Sequence, residues 1–167
     1  MLKLCKIVQR ITLLLGLLTI VLPLVFWSAI PDTLPMHYNF AGKVDHYSGK
    51  ESLILLFFVV AMLMGMMSIV TYYVKASATS KYAKTEERSW LHTVYPMVVL
   101  MNLALQGMFA YIMFCVVTSR NLGILFLPIA MIAVFAPFGF LVYKRNRASA
   151  KLNHGSEDYK QVEEQEE

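Results

Sequence analysis

Four stretches of the chain, residues 11–30, 52–74, 91–118 and 122–143, contain no Asp, Glu, Lys or Arg and are dominated by Leu, Ile, Val, Phe and Met. Each is long enough to cross a bilayer as a helix, because ~20 residues rising ~1.5 Å apiece cover the ~30 Å of hydrocarbon. A charge at mid-membrane costs about 2.5–3.5 kcal/mol even on the gentler insertion scales. The chain places every charged residue outside these stretches. The expectation is an all-α integral membrane protein, a four-transmembrane-helix bundle with a short structured extracytoplasmic loop that could be a β-hairpin.

Composition supports lipid rather than water as the solvent. Apolar residues make up 57% of the chain and charged ones 16%, against about 25% charged in ordinary soluble domains. The net charge of +4 does not point to nucleic acid. The basic residues flank the apolar blocks, where they hold helix ends at headgroup level, and no aromatic residues interleave with them as a stacking groove would need. Cys5 and Cys115 are expected near opposite membrane faces, far beyond the ~7 Å that a disulfide tolerates, and so serve as small apolar residues.

The first block follows Lys3, Lys6 and Arg10, as the apolar part of a signal peptide would. It exceeds the usual 7–15 residues, however, and Phe26, Trp27 and Ile30 put bulk where a small-residue cleavage site belongs. A retained span is the expectation. Orientation follows from the flanks. Lys3, Lys6, Arg10, Lys75, Lys81, Lys84, Arg88, Lys144, Arg145, Arg147 and Lys151 face one way; Lys43, Lys50 and Arg120 face the other. The positive-inside rule then puts the protein in the cell membrane with both termini cytoplasmic.

The expected organisation is a helix-loop-helix module over residues 1–75 with its loop at 31–51, a cytoplasmic loop at 76–90, a second helix pair at 91–143, and a tail at 144–167. The tail is polar and then acidic, so it cannot bury enough apolar area to fold alone. It is expected to be solvated and mobile.

The first loop is too long to be filler. Passive connectors between antiparallel helices need about 2–8 residues, whereas this one carries Pro31, Pro35, Gly42 and Gly49 as punctuation. Leu34, Met36, Tyr38 and Phe40 alternate with Pro35, His37 and Asn39, the pattern of a strand with one apolar face. Ala41, Gly42 and Lys43 are read as a three-residue turn leading to a return strand at 44–47. In that register Phe40 faces Val44, Asn39 faces Asp45, Tyr38 faces His46 and His37 faces Tyr47. His37, Asn39, Asp45 and Tyr47 then share the polar face, and the apolar face lies on the helix ends.

The run "LPMHYNFAGKVDHYSGK" resembles the Pro-x-His-x-Asn-x-x-Gly-x-x-Asp signature of a bacterial family called domain of unknown function 1648, the N-terminal module of SdpI-type immunity and signalling membrane proteins. The resemblance covers about the first 75 residues and places Pro35, His37, Asn39, Gly42, Asp45 and Lys50 on family positions. It implies a class of membrane protein rather than a reaction, because the signature has no assigned chemistry. The separate C-terminal domain of SdpI is not recognisable here, so toxin immunity itself does not follow from the resemblance.

The resulting expectation is a non-enzymatic protein whose extracytoplasmic loop recognises a peptide, toxin or neighbouring membrane subunit through His37, Asn39 and Asp45. Pro35 and Gly42 shape the backbone, and Lys50 anchors the loop at the membrane. A further reading is a membrane metalloenzyme: His37, Asp45 and His46 are weak candidates for a metal, since imidazole and carboxylate are ordinary zinc ligands. Three such residues do not make a site, no His-Glu-x-x-His pattern adds a base, and no cofactor is expected. His37 could alternatively sense pH.

Asn102 and Gln106, four apart on one helix face, are either interhelical glue or part of a substrate path in a small transporter or accessory subunit; glue is the favoured reading. No Asp, Glu, Lys or Arg lies inside the spans to serve a proton or ion relay. Pro23, Pro96, Pro128 and Pro137 can bend their helices, as static packing features rather than devices for movement. Ala61, Gly65, Ala130, Ala133 and Ala136 permit close helix approach. The stretch at Met62, Met64, Met66 and Met67 faces lipid or fills gaps. Oligomeric state is left open.

Overall fold

A computed structural model describes residues 2–79 and 85–166, with side chains described for 3–77, 92–143 and 145–147. Of the cations used to orient the chain, Lys81 and Lys84 lie outside the described residues, as do the side chains of Arg88, Lys144 and Lys151.

The order of elements is α1 (Leu2–Val25), β1 (Thr33–Tyr38), β2 (Val44–Gly49), α2 (Leu53–Thr79), α3 (Thr85–Val117) and α4 (Phe126–Glu166), with short 3-10 turns at Trp27–Ala29 and Lys50–Ser52. Four helical segments, Lys3–Val25, Lys50–Ser77, His92–Val117 and Phe126–Arg147, are long and apolar enough to cross a membrane. Each overlaps one of the charge-free blocks read from the sequence.

Two boundaries differ from expectation. The first span sits nearer the N-terminus than 11–30, because the helix begins at Leu2 and stops at Val25. Ile30 is already extended at φ −78°, ψ 133°, as a residue before proline is driven to be by the Pro31 ring. At the other end, α4 continues to Glu166, so its backbone is helical where a solvated, unfolded tail was expected. The Ala, Lys, Gln and Glu residues of that segment are strong helix formers, and a polar segment can be helical without a packed face of its own.

The helices do not form two separate pairs. Helix α3 packs along both α1 and α2, more extensively than those two pack on each other, whereas α4 packs on α3. Two apolar clusters fill the ends of the α1–α2–α3 unit. Ile30, Leu34, Leu53, Phe57, Met113 and Val116 form one beneath the hairpin. Cys5, Tyr95 and Val99 form the other, at the far end. Cys5 and Cys115 are both buried and unbridged.

Between the clusters the interior is polar. Thr12, Thr19, Thr71, Asn102 and Gln106 are buried. The three hydroxyls donate to carbonyls on their own helices, Thr12 to Val8, Thr19 to Leu15 and Thr71 to Met67, which leaves those donors spent. Gly16 lets α1 approach at this level: a Cβ there would lie 2.9 Å from Met64 Sδ and 3.0 Å from Gln106 Oε1. Met64 is thereby a gap-filler against α1 and α3, while its neighbours Met62 and Met66 are exposed on the outer surface.

Leu34 is the residue through which the hairpin enters the core. It has no exposed surface, and truncating a buried leucine typically costs ~2–5 kcal/mol. Leu34→Ala is therefore expected to lower the thermal unfolding midpoint of the detergent-solubilised protein markedly. The same assay on Tyr47→Ala, on the exposed face of the ribbon, should show little change.

Candidate functional site

Strands β1 and β2 pair antiparallel, with Thr33↔Gly49, Leu34↔Ser48, Pro35↔Tyr47, His37↔His46 and Tyr38↔Val44 as partners. This corrects the expected pairing: Val44 meets Tyr38 rather than Phe40 and Tyr47 meets Pro35 rather than His37, each shifted by two residues, while His37 at the irregularity meets His46, shifted by one. The cause lies in the turn. Gly42 N–H donates to Asn39 C=O at 2.8 Å, and Gly42 takes φ +70°. In a three-residue hairpin loop the left-handed residue comes third, so the loop is Phe40–Ala41–Gly42 and the whole turn sits one residue earlier than expected.

Asn39 locks that geometry. Its Oδ1 accepts from Ala41 N–H at 3.0 Å and Lys43 N–H at 3.1 Å, and its own N–H donates to Lys43 C=O at 2.9 Å. Irregularities between Pro35, His37 and Tyr38 fall where Pro35 cannot donate to the ladder. A slip of two, unlike a slip of one, leaves side chains on their original faces. Leu34, Met36 and Tyr38 accordingly pack towards the core, while His37, Asn39, Asp45 and Tyr47 are exposed.

The structure brings His37 and Asp45 together: His37 Nδ1 and Asp45 Oδ1 are 2.5 Å apart. His46 is exposed, and among the described residues no group of three or more His, Cys, Asp or Glu converges as a metal site would require. Lys50 closes the base of the ribbon. Its Nζ is 2.6 Å from Asp32 Oδ1 and 5.9 Å from the Trp27 ring centre, and its N–H donates to Asp32 C=O. That ammonium, bonded to Asp32, holds the Asp32 carboxyl below the usual carboxylate range.

Sequence reasoning missed the other half of the site. The α3–α4 loop grips the hairpin tip: Leu122 N–H and Gly123 N–H donate to Gly42 C=O at 2.8 and 3.3 Å, and Val44 N–H donates to Asn121 Oδ1 at 2.9 Å. Tyr38 hydroxyl donates to Arg120 C=O at 3.3 Å. Burial pushes that hydroxyl up to about 12, so it remains a neutral donor. Tyr111 hydroxyl in turn donates to Leu122 C=O. The signal available in the sequence was small: an Asn and a Gly, at 121 and 123, in a connection of only a few residues.

Together the two loops enclose an open cleft of about 510 Å³. It is lined on the hairpin side by His37, Tyr38, Asn39, Phe40, Gly42 and Asp45, and on the other by Leu122, Gly123, Phe126 and Leu127. The second pair of candidate residues lies elsewhere. Asn102 and Gln106 are buried in the α1–α2–α3 interior, and their carbonyl oxygens have no hydrogen-bond partner among the described residues. The partners that interhelical glue would need are thus not found for those two oxygens.

These features define a multi-pass helical membrane protein with a hairpin docked across one end. Residues 14–63, which include the His37–Asp45 pair, match the family described as domain of unknown function (DUF1648), the family whose signature the loop resembles. The chain is also similar to an uncharacterized protein of Archaeoglobus fulgidus, 26% identical over 158 residues that cover 83% of this chain and 86% of that one. No solved structure matches. The family segment supplies the hairpin, and the residues that grip its tip lie beyond it.

Gly42 is constrained twice over. A side chain at its positive φ is strained, and a Cβ there would sit 2.7 and 2.8 Å from the Gly123 carbonyl carbon and nitrogen. Gly42→Ala is expected to cost about 2 kcal/mol or more. Hydrogen exchange should show faster exchange of the Gly42-bonded amides of Leu122 and Gly123, whereas Phe40→Ala should leave them protected.

Proposed function

We propose that this protein is a non-enzymatic recognition protein of the SdpI-like kind, acting in immunity or signalling, and that the cleft on the outer side of the cell membrane is where it binds. The observation that carries this reading is the His37–Asp45 pair. It is displayed to solvent at the mouth of a cleft whose walls are fixed by backbone hydrogen bonds from two different loops. A fixed cleft with a few polar groups among apolar walls is what a binding site requires. Nothing in the pair supplies a nucleophile with its base. The outward orientation rests on the distribution of Lys and Arg.

A strain lacking the gene, complemented with the wild-type chain, provides the test. His37→Ala and Asp45→Ala, at matched membrane abundance, are expected to abolish complementation of whatever sensitivity or signalling defect the deletion causes, and Tyr47→Ala to restore it. Full complementation by both cleft variants would remove the reading. Orientation is checked separately: a fluorescent protein fused to the C-terminus should fluoresce, and alkaline phosphatase fused there should be inactive.

One observation favours a second reading, a small transporter or accessory subunit. Two buried carbonyl oxygens on α3 without protein partners among the described residues are costly, at ~1–3 kcal/mol each, and such groups persist where they serve a passing ligand. Under this reading Asn102→Leu abolishes substrate flux in reconstituted vesicles. Under the first reading the same variant leaves complementation intact and raises the unfolding temperature.

A further inference from the structure

The cleft lies at the boundary between water and hydrocarbon, and its two ends differ in chemistry. Phe126, in its wall, is the first residue of the fourth span, so the apolar end is continuous with the surface that α4 presents to lipid. Ile124 and Leu125 are exposed immediately before it. The hairpin turn places Phe40 at the same level with 92% of its surface exposed. A phenyl ring so exposed is poorly explained by water on every side, and well explained by the headgroup region of a bilayer.

The polar end has one carboxylate. Asp45 and His37 are the charged or titratable groups at that end, and His37 engages one carboxylate oxygen, Oδ1. Of the neighbouring cations, Arg120 lies over the Phe114 ring at 5.8 Å and Lys50 bonds Asp32, and Lys43 is not part of the lining. The aromatic residues in the lining are Tyr38, Phe40 and Phe126, of which Tyr38 turns its side chain to the core. A carboxylate beside aromatic rings attracts an ammonium group, electrostatically and through cation–π contact, and repels a bare anionic head. The volume of about 510 Å³ suits a headgroup with the start of its glycerol backbone.

Resting on the recognition reading of this same cleft, we infer that it takes the ammonium headgroup of an amphiphile from the leaflet on the hairpin side, a lipid of the phosphatidylethanolamine type. Asp45 is the acceptor for the ammonium, the Phe40 and Phe126 rings flank it, and the acyl chains leave along Phe126 and Leu127 onto the outer surface of α4. The ligand arrives by lateral diffusion in the bilayer.

Native mass spectrometry of the full chain, released from neutral detergent micelles, tests this with three lipids of identical acyl chains: phosphatidylethanolamine, its N-acetylated derivative and phosphatidylglycerol. The wild type should retain phosphatidylethanolamine at least about fivefold over the other two. Asp45→Asn should lose that preference, Phe40→Ala should reduce retention several-fold, and Tyr47→Ala, outside the lining, should change nothing. Soluble phosphoethanolamine should fail to displace the lipid; displacement by it would overturn the membrane source. Equal retention of all three lipids by the wild type, or an undiminished preference in Asp45→Asn, overturns the proposal. If the preference is absent while Asp45→Ala still fails to complement, the ligand class falls and the recognition site stands. If the preference is present while Asp45→Ala complements fully, the lipid site stands and the recognition role falls.

Discussion

The hydrogen bonds between the hairpin tip and the α3–α4 loop hold together everything on this end of the molecule. A two-stranded ribbon alone is marginal in water, because its few ladder bonds barely offset the entropy of ordering the chain. Here the ribbon is fixed at three places. Leu34 enters the apolar cluster under it, Lys50 ties its base to Asp32, and Gly42 C=O accepts from Leu122 and Gly123. The third contact requires two backbones to meet without side chains between them, and glycine stands on both sides of it. Only with the tip fixed do His37 and Asp45 become one wall of a cleft whose other wall is α4.

That arrangement explains what the sequence made legible and what it did not. The spans were readable because hydrocarbon tolerates no charge, which writes itself into a chain as long uncharged blocks. The hairpin was readable from its period-two alternation; Leu34, Met36 and Tyr38 turn inward as expected, whereas Phe40 and His46, read on the same apolar face, are exposed. The pairing error came from placing Gly42 second in the loop. The left-handed position is third, and Asn39, whose side chain takes two loop amides, marks where the loop begins. The residues that face the hairpin across the cleft, Asn121 to Leu127, were illegible for a different reason. Most contribute backbone groups or plain apolar surface, which carry no pattern in a single sequence.

Helix α3 is the common element of the structure. It contacts α1, α2 and α4, carries the two buried amides, and ends directly beneath the cleft. Its last turn closes with Ser119 at φ +51° and Arg120 N–H donating to Cys115 C=O at 2.8 Å, a left-handed helix end made without the usual glycine. The chain leaves that end already turned towards the hairpin, so Arg120 C=O reaches Tyr38 and Asn121 reaches Val44. Placing a serine where glycine is easier costs roughly 1 kcal/mol, and the hydrogen bonds on either side offset it.

The weak packing of α4 then acquires a consequence. Among the helices it packs chiefly on α3, and none of the described residues of its span is buried, so the link from its N-terminus to the hairpin is a substantial part of what fixes its position. A ligand seated between His37, Asp45 and Phe126 would touch both sides of that link. Any difference in its affinity for two positions of α4 would shift the population between them by the corresponding free energy, and by no more than that. The helix runs on to Glu166 on the opposite side of the membrane. A change at the cleft thus has one continuous helix, with Pro137 inside it, by which to reach the far face, whereas α1 and α2 are held in place by their packing on α3.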